Sequence, residues 1–219
     1  MSVSTTAYDA LRARLISGGL PPGARLAEVP LAAELGVSRA TVREVLRQLE
    51  SQGLATSDGR SLRVSQLDWH ELRSALLMRA ALESMHAELA AARVREGHVA
   101  PAALRELREL ARRAESFTED GRYADAVAGN RAFHEAVDAL AASPISEAAV
   151  HRLWDLITIA MERSLTLPGR GAAVAREHRE LLDAIGAGDG ERAAEVARRH
   201  VLRTLEAARP EAPEQTQTR

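Results

Sequence analysis

Apolar residues recur at helical spacing three times before residue 54, and each time a glycine or proline cluster interrupts them. Leu11, Leu15 and Ile16 lie on one side of a segment spanning 7–17, which GGLPPG at 18–23 stops. AEVPLAAEL predicts a second short helix, with Pro30 near its first turn and Gly36 at its end. Ser38 is a natural N-cap for a third, in which Val42, Val45, Leu46 and Leu49 form one apolar stripe before Gly53 closes it. LAT and SLRV, on either side of the polar tip SDGR, then predict two short extended runs about an Asp-Gly turn. Three helices and a hairpin over residues 1–66 describe a winged helix-turn-helix.

From Asp68 onward the pattern is helical throughout. Helices are expected near 68–95, 101–119, 122–141, 144–166, 171–187 and 189–208, with breaks at Gly97, Gly121, Ser143-Pro144, Pro168-Gly169 and Gly186 to Gly190. The fold class predicted is therefore mainly α: the N-terminal winged helix-turn-helix plus a C-terminal antiparallel six-helix bundle over 67–209. The tail PEAPEQTQTR, 210–219, is poor in apolar residues and is expected to be disordered. No apolar run approaches the roughly 18 residues of a membrane span or forms an N-terminal signal segment, so a cytoplasmic protein with no membrane partner is expected.

Composition narrows the chemistry. Hydrophobic residues make up 46% and aromatics only 3%, which predicts a core of small and branched aliphatic side chains. The absence of cysteine excludes disulfides, thiolate metal sites and a cysteine nucleophile, so a metal would have to be held by His, carboxylate or amide groups. Residues 1–66 contain eight arginines and six acidic residues (+2), whereas 67–219 contain twenty-one and twenty-five (−4). So small an asymmetry leaves the argument to placement.

Placement singles out Arg39, Arg43 and Arg47, stacked at four-residue intervals on the third helix of a chain without lysine. With Ser38 as cap, Arg39 sits in the first turn, where free backbone N–H groups and the positive helix end favour phosphate or an electronegative base edge. Val42, Leu46 and Leu49 face inward, which leaves Arg39, Thr41 and Arg43 free to enter a major groove. Guanidinium is the fork that reads guanine O6 and N7 or grips phosphate. Arg47 is placed either against phosphate or as an ion-pair partner of Glu44 or Glu50.

The runs LPPGARLAE and LAAELGVSRATVREVLRQLESQGL resemble the GntR family of bacterial transcription factors over about residues 8–66. That resemblance implies that Arg39 and Arg43 contact bases or phosphates, and that the tip at Gly59 and Arg60 is a wing entering the minor groove. Some members carry an arginine where this chain has Val29, and SDGRSLRV follows the usual wing pattern only loosely.

Histidines supply the chemistry of the second half. His134, His178 and His200 are each flanked at helical spacing by apolar residues, and Asn130 lies one turn before His134 on the same face. Antiparallel packing of the last two helices can bring His178 and His200 together. Three imidazoles and an amide oxygen can hold a divalent metal such as Zn or Ni, and a dry pocket with histidines only is the competing case. Residues 68–205 resemble the FCD ligand-binding domain of the FadR branch, in Arg79-x-x-x-Glu83, Phe133-His134, Glu177-His178-Arg179 and Arg199-His200. Metal-binding members have Asp-x-x-x-His on one helix plus two later histidines, and Asn130 takes the aspartate's place here. The neutral amide leaves the site one negative charge short, which predicts weaker metal retention or dependence on an effector's carboxylate.

The resemblance implies a small organic acid as effector, a homodimer on a palindromic double-stranded operator, and release of DNA, as a repressor, when the acid binds. Arg79 either pairs with that acid in the bundle interior or forms a surface pair with Glu83. Trp154 and Phe133 are expected in the core. Two alternatives stand beside the regulator: a metal-dependent hydrolase built on the histidines, and a DNA-binding protein whose bundle only dimerises.

Overall fold

The computed structural model describes residues 3–160 and 170–209. The chain begins with helices α1 (Val3–Ile16), α2 (Glu28–Leu35) and α3 (Arg39–Ser51), followed by strands β1 (Ala55–Ser57) and β2 (Leu62–Val64). Six more helices follow: α4 (Trp69–Arg95), α5 (Pro101–Glu119), α6 (Tyr123–Ala141), α7 (Pro144–Ala160), α8 (Arg170–Ala187) and α9 (Gly190–Ala207). The predicted end of α7 at 166 and the tail at 210–219 lie outside the described residues. Among those described, no helix is long and apolar enough to cross a membrane.

Local chemistry sets the boundaries. α1 begins four residues before the predicted position, and its buried face is Ala7, Leu11 and Leu15. Gly36 adopts φ 65°, a left-handed turn that a Cβ would strain, and so lets α2 end and α3 start within three residues. Ser38 Oγ accepts from Thr41 N at 3.1 Å, capping α3. Asp68 and Glu71 form a reciprocal capping box that starts α4.

The hairpin is antiparallel, pairing Ala55 with Val64 and Ser57 with Leu62. Asp58 Oδ1 accepts from Arg60 N and Ser61 N, shaping the tip around Gly59. The chain before α2 completes the wing, with Leu26 N donating to Leu62 O at 2.8 Å and Val64 N to Ala24 O at 2.9 Å.

Leu11, Leu15, Val42, Val45, Leu49, Leu54 and Val64 bury together to form the N-terminal core. Each such leucine contributes about 1.5–3 kcal/mol through burial. In the second half α4 is the central rod, packed against α6, α7, α8 and α9. Its length and Ala-rich inner face (Ala80, Ala87, Ala90 and Ala91) allow neighbouring helices to approach closely.

The two halves share α7. Ile159 is buried within the N-terminal core and Leu156 packs against it. Arg12 of α1 donates to Asp155 through Nε and Nη2, both at 2.6 Å, and Arg131 of α6 donates to the same carboxylate. Trp154 and Ile157, on the other side of α7, face the bundle.

Candidate functional site

The surface of α3 presents the predicted basic residues to solvent. Arg39, Arg43 and Arg47 are exposed, and Val42, Val45, Leu46 and Leu49 are buried behind them. Thr41 is tied to the cap, its Oγ1 lying 2.9 Å from Ser38 Oγ. Between α2, α3 and the wing lies an open groove of about 510 Å³, lined by Arg25, Arg43, Arg47 and Arg60 with Glu28 and Glu50. Gly59, at φ 81°, sits at the wing's tip beside exposed Arg60. Residue spacing does not disclose the partner of Arg43. It is Glu28, fifteen residues away on α2, whose carboxylate accepts from Nε at 2.7 Å and Nη2 at 2.8 Å.

The second site is a buried cavity at the junction of α4, α6, α7, α8 and α9. His134, His178 and His200 converge there, with one ligating atom from each lying within 4.8 Å of the others. Zn–N bonds of about 2.0–2.1 Å put donor atoms at most about 4 Å apart, so the set needs only a small contraction to close on an ion. His134 Nε2, His178 Nε2 and Asn130 Oδ1 are buried without a hydrogen-bond partner among the described residues. Unpaired buried lone pairs are costly, and three on neighbouring groups fit a cation. Phe133 stacks on His178 with ring centroids 4.1 Å apart and fixes its orientation.

Two carboxylates hold the other edges of the imidazoles. Glu83 Oε2 is 3.1 Å from His134 Nδ1, and Glu177 Oε2 is 2.7 Å from His200 Nδ1. That arrangement orients a ligand histidine and leaves Nε2 for metal. Burial alone would raise both carboxyls, but the hydrogen bonds they accept and the neighbouring guanidinium groups outweigh it. Arg79 and His134 bring Glu83 below the ordinary carboxylate range, while His200, Arg203 and Arg170 bring Glu177 down to about 2. Burial lowers His178 well below 6.5 and His200 to about 4, so both are neutral imidazoles, the ligating form, at neutral pH.

Arg79 departs from the surface-pair expectation: the pair with Glu83 forms, with Nε 2.6 Å from Oε1, but it is buried. The guanidinium also lies 3.5 Å from the centroid of the Trp154 ring, whose Nε1 donates to the same Glu83. An unpaired arginine in this interior would be prohibitively costly, which is why Arg79 keeps Glu83 as its partner there. Arg79, Asn130, Trp154, Arg170, His200 and Thr204 are among the residues lining a cavity of about 40 Å³. Glu83, Glu177 and Arg170 are not singled out as site residues by composition or spacing; Glu83 and Glu177 stand in the motifs that carry the FCD resemblance, and no signal marks Arg170.

A winged helix-turn-helix with an arginine-bearing third helix, joined to a helical bundle enclosing a polar cavity, defines a DNA-binding transcription regulator. The model of "Bacterial regulatory proteins, gntR family" matches residues 3–63, and that of the FCD domain matches residues 74–203. The chain is 31% identical over 94% of its length to the probable D-xylose utilization operon transcriptional repressor of Paenarthrobacter nicotinovorans, covering 88% of it. It is 26% identical to the HTH-type transcriptional regulator YdhC of Bacillus subtilis (strain 168), over 89% of this chain and 84% of that one. The solved structure of E. coli McbR/YncC superposes with a TM-score of 0.81 at 25% identity, covering 94% of this chain and 96% of that one. This chain belongs to the GntR family of bacterial transcriptional regulators, with an FCD domain as its C-terminal part, and neither the family nor these relatives are enzymes.

Proposed function

We propose that residues 1–66 read a palindromic operator in double-stranded DNA, and that residues 67–209 dimerise and govern that reading through a bound metal and a small organic acid. In this reading Ser38 caps the helix that carries Arg39, Thr41 and Arg43 into the major groove. Arg47 grips phosphate, and Gly59 and Arg60 follow the minor groove. Two heads on half-sites related by a two-fold axis supply the affinity that one lacks. Exposed Leu77, Met78, Met85 and Leu89 on α4 offer an apolar strip for a second copy. The repressor named among the relatives supports repression as the outcome.

The observation that carries the effector reading is the convergence of three buried histidines with Asn130 beside Arg79 and Arg170. Asn130, His134, His178 and His200 would hold a divalent ion such as Zn or Ni, which supplies a Lewis-acidic anchor for a carboxylate. The cavity volume corresponds to about three water-sized sites, enough for an ion with a carboxylate head. An acid bound there alters DNA affinity only through its differential affinity for the two poses of the heads.

The test measures thermal unfolding with Zn, Ni or Mn and a panel of short carboxylic acids, for the wild type and His178→Ala. Ligands that prefer the native state raise the wild-type midpoint and leave the variant unmoved. Identical curves under every condition would remove metal and effector from the proposal, leaving a bundle that only dimerises.

A further inference from the structure

Glu28 is the first residue of α2, and its carboxylate takes two hydrogen bonds from one guanidinium: Arg43 Nε at 2.7 Å and Nη2 at 2.8 Å. Arg39 Nη2 stands 3.7 Å from the same group. α2 and α3 are locked to each other through the core that contains Leu31, Val42 and Leu46, so the spacing between Glu28 and Arg43 is fixed by packing. The positive end of α2 favours a carboxylate in its first turn. Hydrogen bonding from Arg43 also holds the Glu28 carboxyl below its ordinary value, so it is ionised at neutral pH.

We infer that Glu28 is a positioning residue for DNA reading: it fixes the Arg43 guanidinium so that one defined edge meets one guanine. The inference rests on the proposal that α3 reads bases. A guanidinium carries five N–H donors. Glu28 occupies Nε–H and one hydrogen of Nη2, leaving the other Nη2 hydrogen and both on Nη1 along the outer edge. That edge is the two-pronged donor that matches guanine O6 and N7.

Two consequences favour specific over general binding. An arginine already held in one orientation loses less side-chain freedom on docking than a free one. The carboxylate's charge, close to Arg39 and Arg43, also weakens the pull of both on any phosphate, and phosphate attraction is the sequence-independent part of DNA affinity.

To test this, the full-length wild-type chain selects its preferred duplex from a randomised library. Affinities are then measured for that duplex, for its single guanine replacements and for an unrelated duplex. Glu28→Gln, Arg43→Ala, Arg43→Lys and the Glu28→Gln/Arg43→Ala double variant are compared with the wild type. We expect the wild type to prefer one guanine by about 5- to 150-fold, the range of a bidentate arginine contact. Glu28→Gln lowers that preference about two- to fivefold, the worth of an exposed ion pair, and binds the unrelated duplex more tightly. It changes the guanine preference no further when Arg43 is already alanine. Arg43→Lys keeps the charge yet loses the preference, because an ammonium has no second prong to present.

Retention of every base preference by Arg43→Ala overturns the reading of α3 and this inference with it. Loss of preference in Arg43→Ala, but an unchanged profile in Glu28→Gln, overturns the inference alone. An equal effect of Glu28→Gln on base preference with and without Arg43 does the same, as does a lowered melting temperature with an intact base profile, the mark of a clamp between helices.

Discussion

Lowering the pH from 7 to 5 in the presence of a chelator should destabilise the C-terminal bundle through its buried histidines. His178 is held well below 6.5 and His200 at about 4, burial being the largest cause in each case. The unfolded chain protonates both near pH 6.5. Above 6.5 both states are neutral there, and the histidines add no pH dependence. Below it the unfolded state binds protons that the folded state refuses, so stability falls as pH falls, by about 1.4 kcal/mol per pH unit per histidine. For His200 that is about 2 kcal/mol between pH 6.5 and 5, and His178 adds in the same direction, a sizeable share of the roughly 5–15 kcal/mol typical of a domain.

The paired carboxylates do not blur this window. Glu177, lowered to about 2, contributes stability that is lost only as pH falls below the unfolded glutamate value, near 4.5. Asp138 is raised by burial and works in the opposite sense, but it is common to wild type and variant and cancels in their comparison. The assay is urea unfolding at pH 7, 6 and 5, followed by the fluorescence of Trp69 and Trp154, the chain's only tryptophans, on α4 and α7. His178→Leu strands no hydrogen-bond partner of Nε2 and should flatten the fall in stability below pH 6.5 relative to the wild type. Equal slopes for wild type and variant would show that His178 is not held neutral by the fold, and the reasoning about the imidazole cluster would fail with it.

Three further outcomes are expected. Asn130→Asp restores a negative ligand beside the histidines and should tighten Zn or Ni on the order of tenfold, read by calorimetric titration. Arg12→Ala removes two charge-assisted bonds to Asp155, which keeps Arg131; about 1–3 kcal/mol should be lost, seen as faster amide exchange in α1. Gly188→Ala should cost about 1–3 kcal/mol in thermal or urea unfolding, since φ is +71° and the new Cβ would meet Arg95 Cβ at 2.8 Å.

Much of this molecule could be read from the chain because its punctuation is local. Ser38, Gly36, Asp68, Pro101 and Gly188 each act within one turn of themselves, and the observed boundaries follow them closely. The three histidines were recoverable because each repeats the apolar spacing of its own helix, so the core faces had to carry them inward. What escaped is long-range and polar. Nothing in periodicity links Arg12 to Asp155, 143 residues away, or Arg43 to Glu28 across the turn between two helices. The Arg79–Glu83 pair was visible at i, i+4, yet only the packing of Trp154 against it decides that it is interior. His86 escaped likewise: it is fully buried between Asp138, at 2.6 Å, and Ser146, at 2.7 Å, partners on α6 and α7 that α4 meets only after folding.

One helix of the bundle, α7, belongs to both parts of the molecule. Asp155, Leu156 and Ile159 engage the head, while Trp154 and Ile157 line the polar cavity of the bundle. The seam between the two sequence families therefore does not coincide with a seam in the packing. Grafting a foreign reading head onto this bundle would take Arg12 from Asp155, leaving it Arg131 alone, and would set Ile159 against an unmatched core. A working chimera has to transplant the outer face of α7 together with the head.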